Sequence, residues 1–252
     1  MVQTQTGTAI LFVLSVVTLT HCLHAQQDTR LDPTLPYQAE RLSPITYDVD
    51  FSVIVDERFR EVLDKIVPHR KNTVADLEDV MSWVQANFEY DHHDASLRAS
   101  AEHALEKRRG HCSDYHSFCA SLGRVLGVPT RVTYGINTFP KNSPSHCKLE
   151  AFLLPYGWVS FDVSETQKLV ADIQKSVDID DAKRMELIAL AQERLTSGFR
   201  DNTWFLQTQG TDYDLVPAAS KRVPVIRTTY IEADGVPLPE PDPPDNSQRA
   251  FS

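Results

Sequence analysis

Apolar residues alternate with polar or small ones at Tyr47, Val49, Phe51, Val53 and Val55, the period of a strand with one covered face. Val74, Leu77, Val80, Met81, Val84 and Phe88 then recur at helical spacing and predict one apolar stripe, with Trp83 as a further core residue. Thr73 and Asp76 resemble a capping box at the start of that helix, with Asp where Glu is usual. A short helix over 100–108 carries the chain to Gly110. Counted from Cys112, Phe118, Leu122, Val125 and Leu126 predict a second amphipathic helix, stopped by Gly127 and Val128-Pro129. A strand follows over 129–135, then a loop over 136–145 with turn chemistry and no period. The strand over 145–154 puts Cys147, Leu149, Ala151 and Leu153 on one face and His146, Lys148, Glu150 and Phe152 on the other. Pro155-Tyr156-Gly157 is a turn, and residues 158–163 return to close a hairpin. A charged helix over 178–195 and strands at 204–206 and 223–226 complete the pattern.

The ends differ from this middle. Residues 1–25 carry an apolar run followed by a small residue, Ala25, and read as a secretory signal peptide. The run is too short and too interrupted to span a membrane, so no span is expected in the mature chain. A lipoprotein reading at Cys22 is disfavoured by the bulk of His21 before it. Residues 26–45 form an extended arm, 46–235 a single domain, and 236–252 a disordered tail rich in Pro and Asp. The product is expected to be exported, periplasmic or extracellular. A formal charge of −10 argues against a nucleic-acid partner, whose phosphates it would repel.

Three cysteines remain after leader removal: Cys112, Cys119 and Cys147. An odd count leaves at least one free thiol, and Cys119 reads as a small buried helix residue that is able to pair with Cys147. Cys112 begins a helix, where unpaired backbone N–H groups favour a thiolate and can receive an oxyanion. His146 and Asp162 follow on the two arms of the hairpin, in the order nucleophile, base, orienter. The register that decides whether they meet is left open by the turn. Taken singly, each has an ordinary structural reading: a buried thiol, a surface histidine, a turn aspartate. The group Asp91, His92, His93 and Asp94 lacks the companion ligands of a metal site and reads as a solvated loop. A metal site of His111, Cys112, His146 and Cys147 is disfavoured because neighbours on a strand face opposite ways.

Gly110-His111-Cys112-Ser113-Asp114, then Gly127-Val128-Pro129-Thr130-Arg131, resembles the central motif of the transglutaminase-like superfamily. His146 through Glu150 and Gly157-Trp158 through Asp162 resemble its later motifs. The resemblance is clear over 73–166 and looser to about residue 240. It implies an α+β fold with a papain-like core, the cysteine helix packed on an antiparallel sheet. It also implies Cys112, His146 and Asp162 as a catalytic triad acting on protein or peptide amides through a thioester, with no metal or cofactor. Glu150 is expected to support the imidazole or pair with Lys148. Asp114 is expected to stabilise the helix end, Trp158 to anchor packing and Arg131 to form an ion pair. Cys147-Lys148 stands where the family pattern has Ala-Trp, which alters the pocket wall. The alternative is a non-catalytic binding module on the same scaffold.

Overall fold

The computed structural model describes residue 34 and residues 56–137, 145–196, 204–227 and 230–238, all within one unit, Asp32–Ser252. The predicted leader, the strand over 47–55, loop residues 138–144 and residues 239–252 lie outside the described residues, as does the arm apart from Thr34.

Helix α1, Glu57–Ile66, was not legible in the apolar pattern; Asp56 caps it, accepting from the Arg58 N–H at 2.9 Å. Helix α2, Val74–Asn87, buries the predicted stripe from Val74 to Val84. Its capping box is not made. Thr73 gives no side-chain bond, and Asp76 accepts instead from the Lys71 and Asn72 N–H groups at 3.0 and 2.7 Å. An aspartate is one carbon shorter than the usual glutamate, and the loop amides are its nearer donors.

Strand β1, Glu89–Tyr90, runs parallel to β2, Arg109–Gly110, with helix α3, Ala101–Lys107, between them. This pairing sets Tyr90 and the loop after it beside the start of helix α4, Cys112–Val125. Helix α4 is not amphipathic in the sense the spacing predicts: every residue from Cys112 to Gly123 is buried, Ser113, Asp114, His116, Ser117 and Ser121 among them. The reason is its position. One side packs on the sheet strands β3, Thr130–Asn137, and β4, Ser145–Leu153; α1, α2, α3 and helix α5, Val163–Lys175, enclose the other. A helix surrounded on all sides has no solvent face to mark with polar residues.

Strand β5, Gly157–Phe161, and strand β6, Trp204–Gln209, complete an antiparallel sheet of order β5-β4-β3-β6. The α+β architecture expected above is thus observed. The charged helix begins slightly later than expected, as α6, Asp181–Thr196. Residues 223–226 are not a strand; within them only Val223 pairs, in an isolated bridge to Tyr213. Strands β7, Glu232–Ala233, and β8, Val236–Pro237, form a small hairpin whose second arm lies in the stretch expected to be tail.

The core centres on Phe118 of α4, with ring centroids 5.8 Å from Phe59, 5.0 Å from Phe88 and 6.3 Å from Trp83. Trp83 is only half-buried; it stacks on Phe118 and carries the Arg108 guanidinium over its outer ring at 5.2 Å. Among the described residues, no helix is long and apolar enough to cross a membrane.

Candidate active site

Gly110 brings the chain into α4 at φ +152°, a backbone conformation L side chains rarely adopt. A side chain there would meet Asp114 at 2.5 Å. Asp114 does more than favour a helix end: its carboxylate accepts from the N–H groups of His111 and Ser96, both at 3.1 Å, and from the Ser96 hydroxyl. It thereby ties the 91–100 loop to the helix start. Burial pushes the Asp114 carboxyl up, against the pull of those donors.

Cys112 is the first residue of α4 and only 2% exposed. Three groups converge on its sulfur. His111 Nδ1 lies 3.1 Å away. His146 and Cys147, both from β4, stand close enough to act on its charge. Burial opposes ionisation of the thiol, but the neighbouring Cys147, His111 and His146 overcome it and hold Cys112 well below the ordinary thiol range. Cys147 is pushed the opposite way by burial and by the neighbouring Cys112 sulfur. His146 sits at the outer end of β4, and its ring and the Cys147 thiol both reach the helix start. Cys119 is simply buried, with its thiol pushed up, and all three thiols are free.

The open register resolves as follows. In the hairpin Leu149 faces Phe161 and Leu153 faces Gly157, so Asp162 leaves the ladder diagonal to His146 and on its face. His146 Nε2 and Asp162 Oδ2 stand 2.8 Å apart, both groups buried. Burial disfavours both charges, yet each offsets the cost for the other. Asp162 and the Cys112 sulfur push His146 up to about 10. His146 holds the Asp162 carboxyl well below the usual carboxylate range. The three candidate residues read from the sequence are thus brought together.

Asp162 also caps α5, its Oδ1 accepting from the Glu165 N–H at 3.1 Å. The sequence reading missed α5, although Asp162 and Glu165 have capping-box spacing and were visible. His116 of α4 approaches Asp162 at 3.7 Å but is no ion-pair partner. Its Nε2 accepts from the Val163 N–H at 3.1 Å, and burial lowers it to about 4, so it is neutral with its proton on Nδ1.

Glu150 is a correction. It accepts from Arg131 Nε at 2.8 Å and from the Ser160 hydroxyl at 3.3 Å, directly across the strands, rather than supporting His146. Arg131 in turn lies 3.9 Å over the Trp158 ring, which Phe152 meets edge-on, so the anchor and ion-pair readings hold. Lys148 is buried over the Trp204 ring at 4.6 Å. Trp204, from β6, stands perpendicular to the His146 ring at 6.1 Å. Tyr90 was also missed. Its ring lies 5.6 Å from that of His111, and burial is the main force pushing the phenol up, with the Cys112 sulfur adding to it. His92, read as a solvated loop residue, is exposed but sets its ring 5.0 Å from His111. No group of three or more metal-ligating side chains occurs among the described residues.

The model of the transglutaminase-like superfamily matches residues 60–163. An uncharacterised protein of Haemophilus influenzae is 24% identical over 238 aligned positions, covering 78% of this chain. The chain spans 62% of that relative's length. A crystal structure of a candidate cysteine protease from Cytophaga hutchinsonii resembles this one with a TM-score of 0.43 and 19% identity, over 51% of this chain and 45% of that one.

Proposed function

With residues 60–163 forming a transglutaminase-like core, we propose that the chain is an exported cysteine enzyme that acts on protein or peptide amides through a Cys112–His146–Asp162 triad. The observation that carries this reading is the buried His146–Asp162 bond of 2.8 Å beside a helix-terminal thiol held low. His146 takes the thiol proton, and Cys112 attacks the amide carbonyl. The oxyanion is received by the Cys112 N–H at the start of α4, with the Tyr90 hydroxyl from β1 as a second donor. His146 then protonates the departing amine or ammonia, leaving a thioester. Water resolves it in a protease or deamidase, and a second amine in a transglutaminase. Asp162 holds the imidazole in place and stabilises its charge throughout.

The test is alkylation by limiting iodoacetamide at pH 6, followed by intact-mass spectrometry. Cys112 is expected to react faster than a free thiol compound at the same pH, and His146→Ala to slow it. An active preparation is then given glutamine-containing peptides with and without a primary amine, beside Cys112→Ala. A Cys112 no more reactive than an ordinary thiol, with no turnover, would sink the proposal and favour a binding module.

A further inference from the structure

The thiol of Cys112 has a second imidazole against it, and nothing in the triad uses it. His111 is the N-cap residue of α4, 8% exposed, and its Nδ1 lies 3.1 Å from the sulfur. It approaches from the chain just before the helix, whereas His146 approaches from the sheet. Its backbone is fixed by the bond from its N–H to Asp114, and its ring is flanked by Tyr90 at 5.6 Å and His92 at 5.0 Å. An N-cap side chain ordinarily turns to the free helix N–H groups. This one turns its ring nitrogen to the sulfur.

We propose that His111 is a positioning residue that donates its Nδ1–H to the Cys112 thiolate, holding the nucleophile ionised and oriented independently of His146. The role needs only the Nδ1–H tautomer, not a charged ring, and no proton leaves His111 during turnover. During the reaction His146 must move its proton between sulfur and leaving group. A second donor that keeps its own proton would hold the sulfur in line while that transfer occurs. The inference rests on the catalytic reading above. The ionisable groups facing Cys112 are His111 on one side, His146 and Cys147 from β4, and Tyr90 from β1, with Asp162 and the neutral His116 of α4 behind His146; His92 and Asp114 face His111.

The experiment is the pH profile of iodoacetamide alkylation of folded protein, in wild type, His111→Asn, His146→Ala and the double variant. Asparagine is a good N-cap residue, so His111→Asn removes the imidazole and leaves the helix start capped; circular dichroism checks folding. His111→Asn is expected to move the alkylation midpoint upward by about one pH unit, roughly a tenfold loss of rate at pH 6. His146→Ala alone should keep part of the activation, and the double variant should behave as an ordinary thiol. If wild type is activated but its profile is unchanged by His111→Asn in both backgrounds, His111 is only a cap and this inference is overturned. If wild-type Cys112 is itself ordinary, the catalytic reading falls first.

Discussion

Asp162 serves two structures at once, and the two can be separated by mutation. One oxygen holds His146 and the other caps α5. Asp162→Asn keeps a capping oxygen and loses the charge; Asp162→Ala loses both. Turnover is expected to fall by roughly 10²–10⁴-fold in either, the range of general acid–base contributions. Denaturant unfolding should place the alanine variant about 1 kcal/mol below the asparagine variant, the usual worth of an N-cap. An asparagine variant with wild-type kcat/KM would remove Asp162 from the mechanism. At this scale the sequence was informative about Cys112, His146 and Asp162, because their chemistry and order are local facts. It was silent on His111 and Tyr90, whose value lies in contacts: His111 had been considered only as a metal ligand, and Tyr90 reaches Cys112 only through the β1–β2 pairing.

At the scale of elements, the β3–β6 seam decides how His146 is walled. Gly135 sits where the register of β3 against β6 shifts. A methyl group there would run into the Phe205 carbonyl and meet the Trp204 ring at 2.8 Å, and a backbone oxygen cannot swing aside. Gly135→Ala should therefore push β6 off β3, cost about 1–3 kcal/mol as overpacking does, and draw Trp204 away from His146. Gly157 offers the control. It has φ +79° but open space, so Gly157→Ala should cost stability without changing activity. Equilibrium unfolding and kcat/KM together check both, and equal losses of activity would refute the wall. The element scale also shows where pattern reading failed. Helix α2 was legible because one face is solvated. Helix α4 was placed correctly, but its polar residues were misread as an outward face, because they are buried by the elements packed around the helix, with Asp114 and Ser117 hydrogen-bonded within it or to the loop before it. Helices α1 and α5 announced themselves only by their caps, Asp56 and Asp162.

For the whole molecule, the site ties folding to pH. In the folded chain Cys112 and His146 share one proton from the depressed thiol pKa up to about 10. An unfolded chain also keeps one between about 6.5 and 8.5, where the free histidine has lost its proton and the free thiol has not. The pair should leave stability nearly flat there. Above about 8.5 the unfolded thiol ionises while folded His146 keeps its proton, so the folded state binds more protons and stability falls as pH rises. In Cys112→Ala the thiol is gone, and the fall should begin near 6.5 instead. The difference between the two proteins' melting temperatures, scanned from pH 5 to about 10, isolates this effect. Parallel curves would show that no such pair exists. Activity is expected to rise as pH climbs through the depressed Cys112 pKa and to fail near 10 as His146 deprotonates.

The sequence by itself determined the order of helices and strands around the site, a cysteine at a helix start, and a hairpin carrying a histidine and an aspartate. These follow from periodicity, helix stops and turn residues, which act over a few neighbouring positions. Only the tertiary structure decided that Asp162 lies diagonal to His146, that His111 Nδ1 lies against the Cys112 sulfur, and that Glu150 belongs to Arg131. It also decided that the Trp204 indole, from β6, stands over Lys148 and beside His146. Each of these depends on register and on which distant strand or loop closes over the helix, and a residue's own neighbours in the chain carry no record of that.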